Sequence, residues 1–253
     1  MNKLNDTAAM TGRMMKHMYR SPDTVITVII MPVMMLLLFV YVLGGAMSTG
    51  DGSMDYKAYI IPGIMLFCVA TATSYTAWLL NEDISKGIFE RFHSLPIAKS
   101  SILNGHVITS LVFNFVSIAL VLIVALIIGF RPQASFAEWL IAIVLMAVFV
   151  IALSWMAVFF GLIAHSSETA SVFTYPIMGL IFVSSAFAPL DTMPPGLHVF
   201  AQYQPLTPII NSFRSLLSQG IITGGLAIAF GWCLALWALF QSLSAWAYRR
   251  RMH

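Results

Sequence analysis

Residues 81–106 read NEDISKGIFERFHSLPIAKSSILNGH, and on either side lie the uncharged apolar runs 58–80 and 107–130. The whole chain of 253 residues carries 13 Lys and Arg and 10 Asp and Glu, yet Glu82, Asp83, Lys86, Glu90, Arg91 and Lys99 all fall here. A charged stretch pinned between two apolar runs has the pattern of a loop joining two membrane spans. The rest of the composition agrees. Hydrophobic residues make up 59% of the chain and its mean hydropathy is +0.88, against about 45–50% apolar usage in soluble domains. The chain reads as an all-α integral membrane protein.

Further uncharged runs at 25–46, 140–164, 170–188 and 221–248 bring the number of expected spans to six. Crossing a hydrocarbon core about 30 Å thick takes about 20 helical residues. Five runs exceed that length; the run 170–188 barely meets it and is expected to end at Pro189. Orientation follows from the cations, because Lys and Arg in short loops stay on the cytoplasmic side. With both termini inside, the inner segments hold ten: Lys3, Arg13, Lys16, Arg20, Lys86, Arg91, Lys99, Arg249, Arg250 and Arg251. The outer loops hold three, Lys57, Arg131 and Arg214. The expectation is a multi-pass protein of the plasma (inner) membrane with both termini cytoplasmic. This orientation accounts for the net charge of +3, so no nucleic-acid partner is expected. Cys68 and Cys233 lie inside apolar runs and read as small buried hydrophobes, not a disulfide framework. The opening MNKLNDTAAM is polar where a cleaved signal would be apolar, so no cleaved targeting segment is expected.

Residues 1–253 read as one transmembrane domain in which two segments besides 81–105 stand apart from the spans. In residues 1–22, Met10, Met14 and Met18 recur at helical spacing while Arg13, Lys16 and Arg20 fall on another face. This pattern predicts a helix lying on the inner leaflet, where each cation near anionic lipid is worth about 1 kcal/mol; a solvated tail is the alternative. Residues 189–220 are interrupted by Pro189, Pro194, Pro195, Pro205 and Pro208, yet Leu197, Phe200, Ile209, Ile210 and Phe213 keep them apolar. Two short helices re-entering the outer leaflet are expected, since backbone at membrane depth must find its hydrogen bonds within protein or water. A plain surface loop, with Asp191 and Arg214 at its ends, is the alternative.

Motifs that carry chemistry are missing from the sequence. It holds no phosphate-cradling GxxxxGK[ST] loop, GxSxG elbow, HExxH or paired-Cys motif, so neither catalysis nor a bound cofactor is expected of this chain. An ionisable residue in mid-span costs at least about 2.5 kcal/mol and is kept for function. Every Asp, Glu, Lys and Arg here lies at a span end or in a loop, which argues against proton- or ion-coupled transport. His165 and Glu168 in AHSSETA are two groups where a metal site needs three or more, and the stretch reads as an inner turn. Small residues spaced by four, at Ala125 and Gly129, at Ala157 and Gly161, and at Ala227, Gly231 and Ala235, read as surfaces for close helix packing.

Within 81–106, a helical projection puts Ile84, Ile88, Phe92 and Leu95 on one face. Glu82, Lys86 and Glu90 follow one another at i,i+4 along another, with Asp83 beside them. Pro96 ends the helix. The prediction is a cytoplasmic amphipathic helix between the second and third spans that offers one face to a partner. A helix merely resting on lipid would carry a polar face rich in Lys and Arg; this one is mixed and locally acidic.

DISKGIFERFHSLPIAKSSILNGH and SSAFAPLDTMPPGLHVFAQYQPLTPIINSFRSLLSQG resemble the cytoplasmic and outer segments of the permease subunits of type-2 ABC exporters, in the daunorubicin-resistance-like branch. The likeness rests on a Gly-centred amphipathic helix, a Leu-Pro step and a Gly-His return in the first segment. In the second it rests on a Met-Pro step, a Pro-Leu-Thr-Pro turn and an Arg-Ser-Leu-Leu helix ending at Gly. It covers nearly the whole chain in order and departs at Gln204, where Asn is usual.

The resemblance implies an exporter built from two six-span permeases, the second a copy or a paralogue, and two separate ATPase subunits that bind ATP and Mg. It makes the charged stretch a coupling helix, with Glu82, Asp83, Lys86, Gly87, Glu90, Arg91, Leu95 and Pro96 against the ATPase. The outer segment, with Pro189, Pro194, Pro205, Pro208 and Arg214, is assigned the exit gate. The implied cargo is an amphipathic or hydrophobic drug-like small molecule such as an antibiotic. A polysaccharide or lipid-linked cargo, and a non-transporting membrane scaffold, are the alternatives.

Overall fold

In the computed structural model, which describes residues 11–12, 15, 26–44, 55–89 and 99–251, regular structure is helical and no strand occurs among the described residues. In chain order the helices are α1 (residues 26–43), α2 (Tyr56–Ser85), α3 (Lys99–Ile128), α4 (Phe136–Ile163), α5 (Ser167–Ser171), α6 (Thr174–Phe182), α7 (Pro195–Tyr203), α8 (Leu206–Arg214) and α9 (Gly225–Arg251). Of these, α2, α3, α4 and α9 are long and apolar enough to cross a membrane. The expected interfacial helix at 1–22 falls almost entirely outside the described residues.

Helix α2 is the axis of the bundle. Its most apolar stretch is 89% buried, that of α9 only 11%, and α1, α3, α4, α5, α6 and α8 all pack against it. Helix α9 packs instead on α4 and α8, leaving Ile228, Leu234, Leu239 and Trp246 exposed. Two prolines shape these contacts by withholding a donor from the carbonyl four residues back. Pro62 inside α2 frees the Ala58 carbonyl, and Ser218 Oγ donates to it at 3.4 Å. Pro32 in α1 frees the Val28 carbonyl, which lies 3.8 Å from the Cys68 thiol; wide π-helical turns flank the α-helical part of α1.

The run 170–188, expected as one span ending at Pro189, is instead two short helices. Pro176 cannot donate to the Val172 carbonyl, Tyr175 N takes it at 3.1 Å, and the chain turns there before α6 ends at Phe182. The pair still runs end to end. Ser167 donates to Glu82 at one end of α2, and the Ser185 carbonyl shares Arg214 with Tyr59 at the other, roughly 35 Å along the helix. The turn before α5 is where AHSSETA placed it, with Ser166 capping the helix through Thr169 N.

Only part of the small-residue spacing marks close packing. Gly161 of α4 meets α2, since a Cβ there would lie 2.9 Å from Leu80 and 3.0 Å from the Ala77 carbonyl. Gly129, by contrast, has φ +110° and ends α3, with nothing near it to pack on. A close approach between separate segments involves a glycine that the spacing passed over. A Cβ on Gly63 would lie 2.7 Å from Ala186 Cβ and 3.1 Å from its Cα. Gly63→Ala is therefore expected to destabilise the protein by about 1–3 kcal/mol through overpacking, exceeding the roughly 1 kcal/mol that alanine gains as a helix former. Thermal melting of the purified variant checks this, and a melting point at or above the parent's would show that residues 184–188 yield.

Candidate functional site

At one pole meet the C-terminal ends of α2, α4 and α9 and the start of α3. Asn81, Glu82 and Asp83 extend α2 as its last turns, and each side chain is committed to a different neighbour. Asn81, buried, donates to the Gly161 and Ala164 carbonyls at 3.0 and 2.9 Å, closing the free end of α4. Glu82 accepts from Ser167 Oγ at 3.0 Å and from Lys86 Nζ at 2.7 Å. Asp83 Oδ2 stands 3.6 Å from His106 Nε2, and both side chains are buried, tying α2 to α3. Arg251 donates to the Leu162 carbonyl. Three helix C-termini concentrate partial negative charge here, and the Asn81 amide, Lys86 and Arg249–Arg251 answer it.

The continuous amphipathic helix expected from 82 to 96 is broken. Gly87 adopts φ +67° and its N–H bonds the Ile84 carbonyl at 3.0 Å, the left-handed ending that glycine allows at a helix C-terminus. Ile84 and Ile88 consequently share no face. Phe89 turns back into an apolar cluster with Leu80, Ile102, Trp155 and Leu162. Asp83 is likewise turned inward, whereas Ser85 and Lys86 are exposed. The hydrogen bond to Glu82 holds the Lys86 ammonium pKa above its ordinary value. Glu90, Arg91, Leu95 and Pro96 lie outside the described residues. Sequence reasoning missed Asn81, Ser167 and Arg251, and set His106 aside. The Asn-Glu-Asp triplet abutting an apolar run was the available signal.

At the opposite pole the prolines start helices where they were expected only to break them. Pro189 precedes a single 3₁₀ turn, Leu190–Thr192. Pro194 and Pro195 occupy the cap and first positions of α7, and Pro205 and Pro208 the cap and third positions of α8, where a missing N–H leaves no carbonyl unserved. Helix α7 is largely exposed, with Leu197, Val199, Phe200 and Tyr203 outward, while α8 buries Leu206, Ile209, Ile210 and Phe213. Gln204, the departure from the family pattern, bonds the Leu180 carbonyl through Nε2 at 2.9 Å.

Arg214, counted among the outer-loop cations, is instead 9% exposed. Its guanidinium donates from Nε and Nη2 to the Tyr59 carbonyl at 3.3 and 3.2 Å, from Nη2 to the Ser185 carbonyl, and from Nη1 to Asn211 Oδ1 at 2.7 Å. It also stands 3.7 Å over the Tyr59 ring. One cation thereby joins α2, the segment after α6, and α8. The planar fork of the guanidinium suits such a site, since it reaches several acceptors at once.

Residues 5–218 match the sequence pattern of the family described as ABC-2 type transporter. The chain is 29% identical over 236 residues to the Daunorubicin resistance ABC transporter permease protein DrrB1 of Streptomyces coeruleorubidus, covering 91% of this chain and 81% of the relative. It is 24% identical over 248 residues to the protein of Mycobacterium tuberculosis named Probable doxorubicin resistance ABC transporter permease protein DrrC, covering 96% and 88%. The ycf38 protein of Porphyra purpurea, whose name specifies a transport permease and no cargo, is 25% identical over 223 residues, covering 85% and 75%.

Proposed function

The chain belongs to the ABC-2 type transporter family, and from that membership we propose that it is the permease subunit of an ATP-driven exporter of amphipathic or hydrophobic compounds. Two copies of a separate nucleotide-binding subunit hold the ATP and Mg and supply the drive. A second permease, copy or paralogue, completes the pathway through the plasma membrane.

The observation that carries this reading is the exposed charge gathered at one pole, where the Glu82–Lys86 pair and Arg249–Arg251 surround the ends of three helices. Such a surface fits a soluble partner and not the membrane core. In this reading the four long helices, α1 and the α5–α6 pair make six crossings, with both termini and the Glu82 pole cytoplasmic. The cation asymmetry supports that orientation more firmly once Arg214 is withdrawn from the outer loops, leaving Lys57 and Arg131 there. The ATPase contact is the Glu82–Lys86 pair continued through Glu90, Arg91, Leu95 and Pro96, while Asp83 secures the helix end from within. Helices α7 and α8 re-enter the outer leaflet as the gate, with Arg214 as their anchor. A drug-like cargo is supported by the names of the daunorubicin and doxorubicin resistance relatives.

The experiment is reconstitution in proteoliposomes, with and without the nucleotide-binding subunit. The chain alone is expected to hydrolyse no ATP; the complex is expected to hydrolyse it faster when daunorubicin is added, and to be indifferent to an oligosaccharide. Turnover by the chain alone would overturn the division of labour, and stimulation by the oligosaccharide in place of the drug would overturn the cargo.

A further inference from the structure

A cavity of about 170 Å³ lies between α2, α3, α4 and α8, on the side of the Arg214 pole. Its floor is made by Met65 of α2, Met146 of α4 and Phe213 of α8, and its walls by Phe115 of α3 and Trp139 of α4. Ala119 and Ile143, both on the exposed side of their helices, form its rim. Every residue around it is apolar. A dry apolar cavity of about 150 Å³ is large enough to take up benzene, so this space holds one aromatic ring with little rearrangement.

The lining indicates what kind of apolar group belongs there. Three aromatic rings and two thioethers converge on the space, and both favour an aromatic occupant: rings gain about 0.5–1.5 kcal/mol from paired geometry beyond the area they bury, and thioether sulfurs gain a similar amount at ring edges. A saturated chain would gain neither. The rim opens between α3 and α4, whose neighbouring Ile123 and Ile143 are 51% and 48% exposed, so a molecule dissolved in the membrane reaches the cavity without passing through an aqueous vestibule. Phe213, at the floor, is adjacent in sequence to Arg214, so an occupant rests on the helix that anchors the outer segment.

We propose that this cavity is a binding site for the flat apolar ring portion of an amphipathic compound, entered sideways from the membrane. The inference rests on the export reading for the identity of its ligand as cargo, and on the cavity alone for its chemistry.

The full chain in lipid nanodiscs, without any ATPase, is photolabelled with 1-azidonaphthalene and the adducts are mapped by mass spectrometry. Adducts are expected to concentrate on Phe115, Trp139, Met146 and Phe213, to be displaced by excess naphthalene, and to be unaffected by excess decane. Ala119→Leu narrows the rim from an exposed position, so its folding is not at issue, and it is expected to lower this labelling about tenfold, the scale of losing one ring's burial. Ile127→Phe, on the same helix and 80% exposed in the parent, should change nothing. Labelling spread evenly over the exposed faces of α1 and α9 would overturn the site. Displacement by decane as effective as by naphthalene would make it a groove for lipid tails and overturn the aromatic assignment. Because no ATPase takes part, either failure leaves the partnership with the nucleotide-binding subunit standing, and loss of that partnership leaves the labelling unchanged.

Discussion

Arg214→Met is expected to destabilise the protein by about 3 kcal/mol and to open residues 189–220 to protease. Replacing a buried ion pair by apolar residues is often neutral, because both charges leave together. Here the partners of the cation are backbone carbonyls of Tyr59 and Ser185, the Asn211 amide oxygen and the Tyr59 ring, and a substitution at 214 removes none of them. Asn211 Oδ1 keeps a donor in the Ser185 hydroxyl at 2.8 Å, but a buried carbonyl left without one costs about 1–3 kcal/mol, and the lost contact over a desolvated ring adds up to about 2 kcal/mol. The relief of no longer burying a cation offsets part of that sum, which leaves the net near the stated figure. Arg214→Lys is expected to recover only part of the loss, since an ammonium is a compact point charge that cannot reach all these acceptors in one geometry. The checks are thermal melting of the purified chain and limited proteolysis. Should Arg214→Met melt with the parent, the outer segment would be held by the contacts from Gln204 to Leu180 and from Thr207 to Ala201, with Arg214 an accessory to them.

The difference between what hydropathy revealed and what it missed has a physical pattern. Runs with no proline or with one near the start, such as those of α3, α4 and α9, became the helices their length demanded, because lipid leaves the backbone no alternative. Where the prediction failed, a single residue decided locally. Pro176 divided the run 170–188, and Gly87 ended α2 although the spacing of Glu82, Lys86 and Glu90 favoured continuation. Ser-Lys-Gly is a helix-ending pattern, so that break was legible, but the amphipathic projection took precedence over it. Other features could not be read along the chain at all. Arg214 is buried because Tyr59 lies beside it, 155 positions away in sequence, and Asp83 faces inward because His106 meets it from another helix. The cation count behind the expected orientation does not depend on Arg214, since that residue stood among the three cations counted on the minority side.

The inner pole is best tested by exchanging charges and not by deleting them. Glu82→Lys alone would put a second cation beside Lys86 and remove an acceptor from Ser167, so its effects on folding and on docking would be mixed. The double exchange, Glu82→Lys with Lys86→Glu, restores an i,i+4 pair, and the Ser167 hydroxyl can turn to accept from an ammonium where it now donates to a carboxylate. The reversed order is slightly poorer at a helix C-terminus, and Lys86 is 60% exposed in side chain, so the chain's own stability should fall by no more than about 0.5 kcal/mol. A partner groove matched to the original order would meet like charge at both positions, which costs several kcal/mol. The expected result is therefore a variant that melts with the parent, fails to co-purify with the nucleotide-binding subunit, and shows no drug-stimulated hydrolysis. Full co-purification and hydrolysis would assign Glu82 and Lys86 to the internal closure of α2 and α5, and would move the docking surface to Arg249–Arg251, which are exposed at the end of α9.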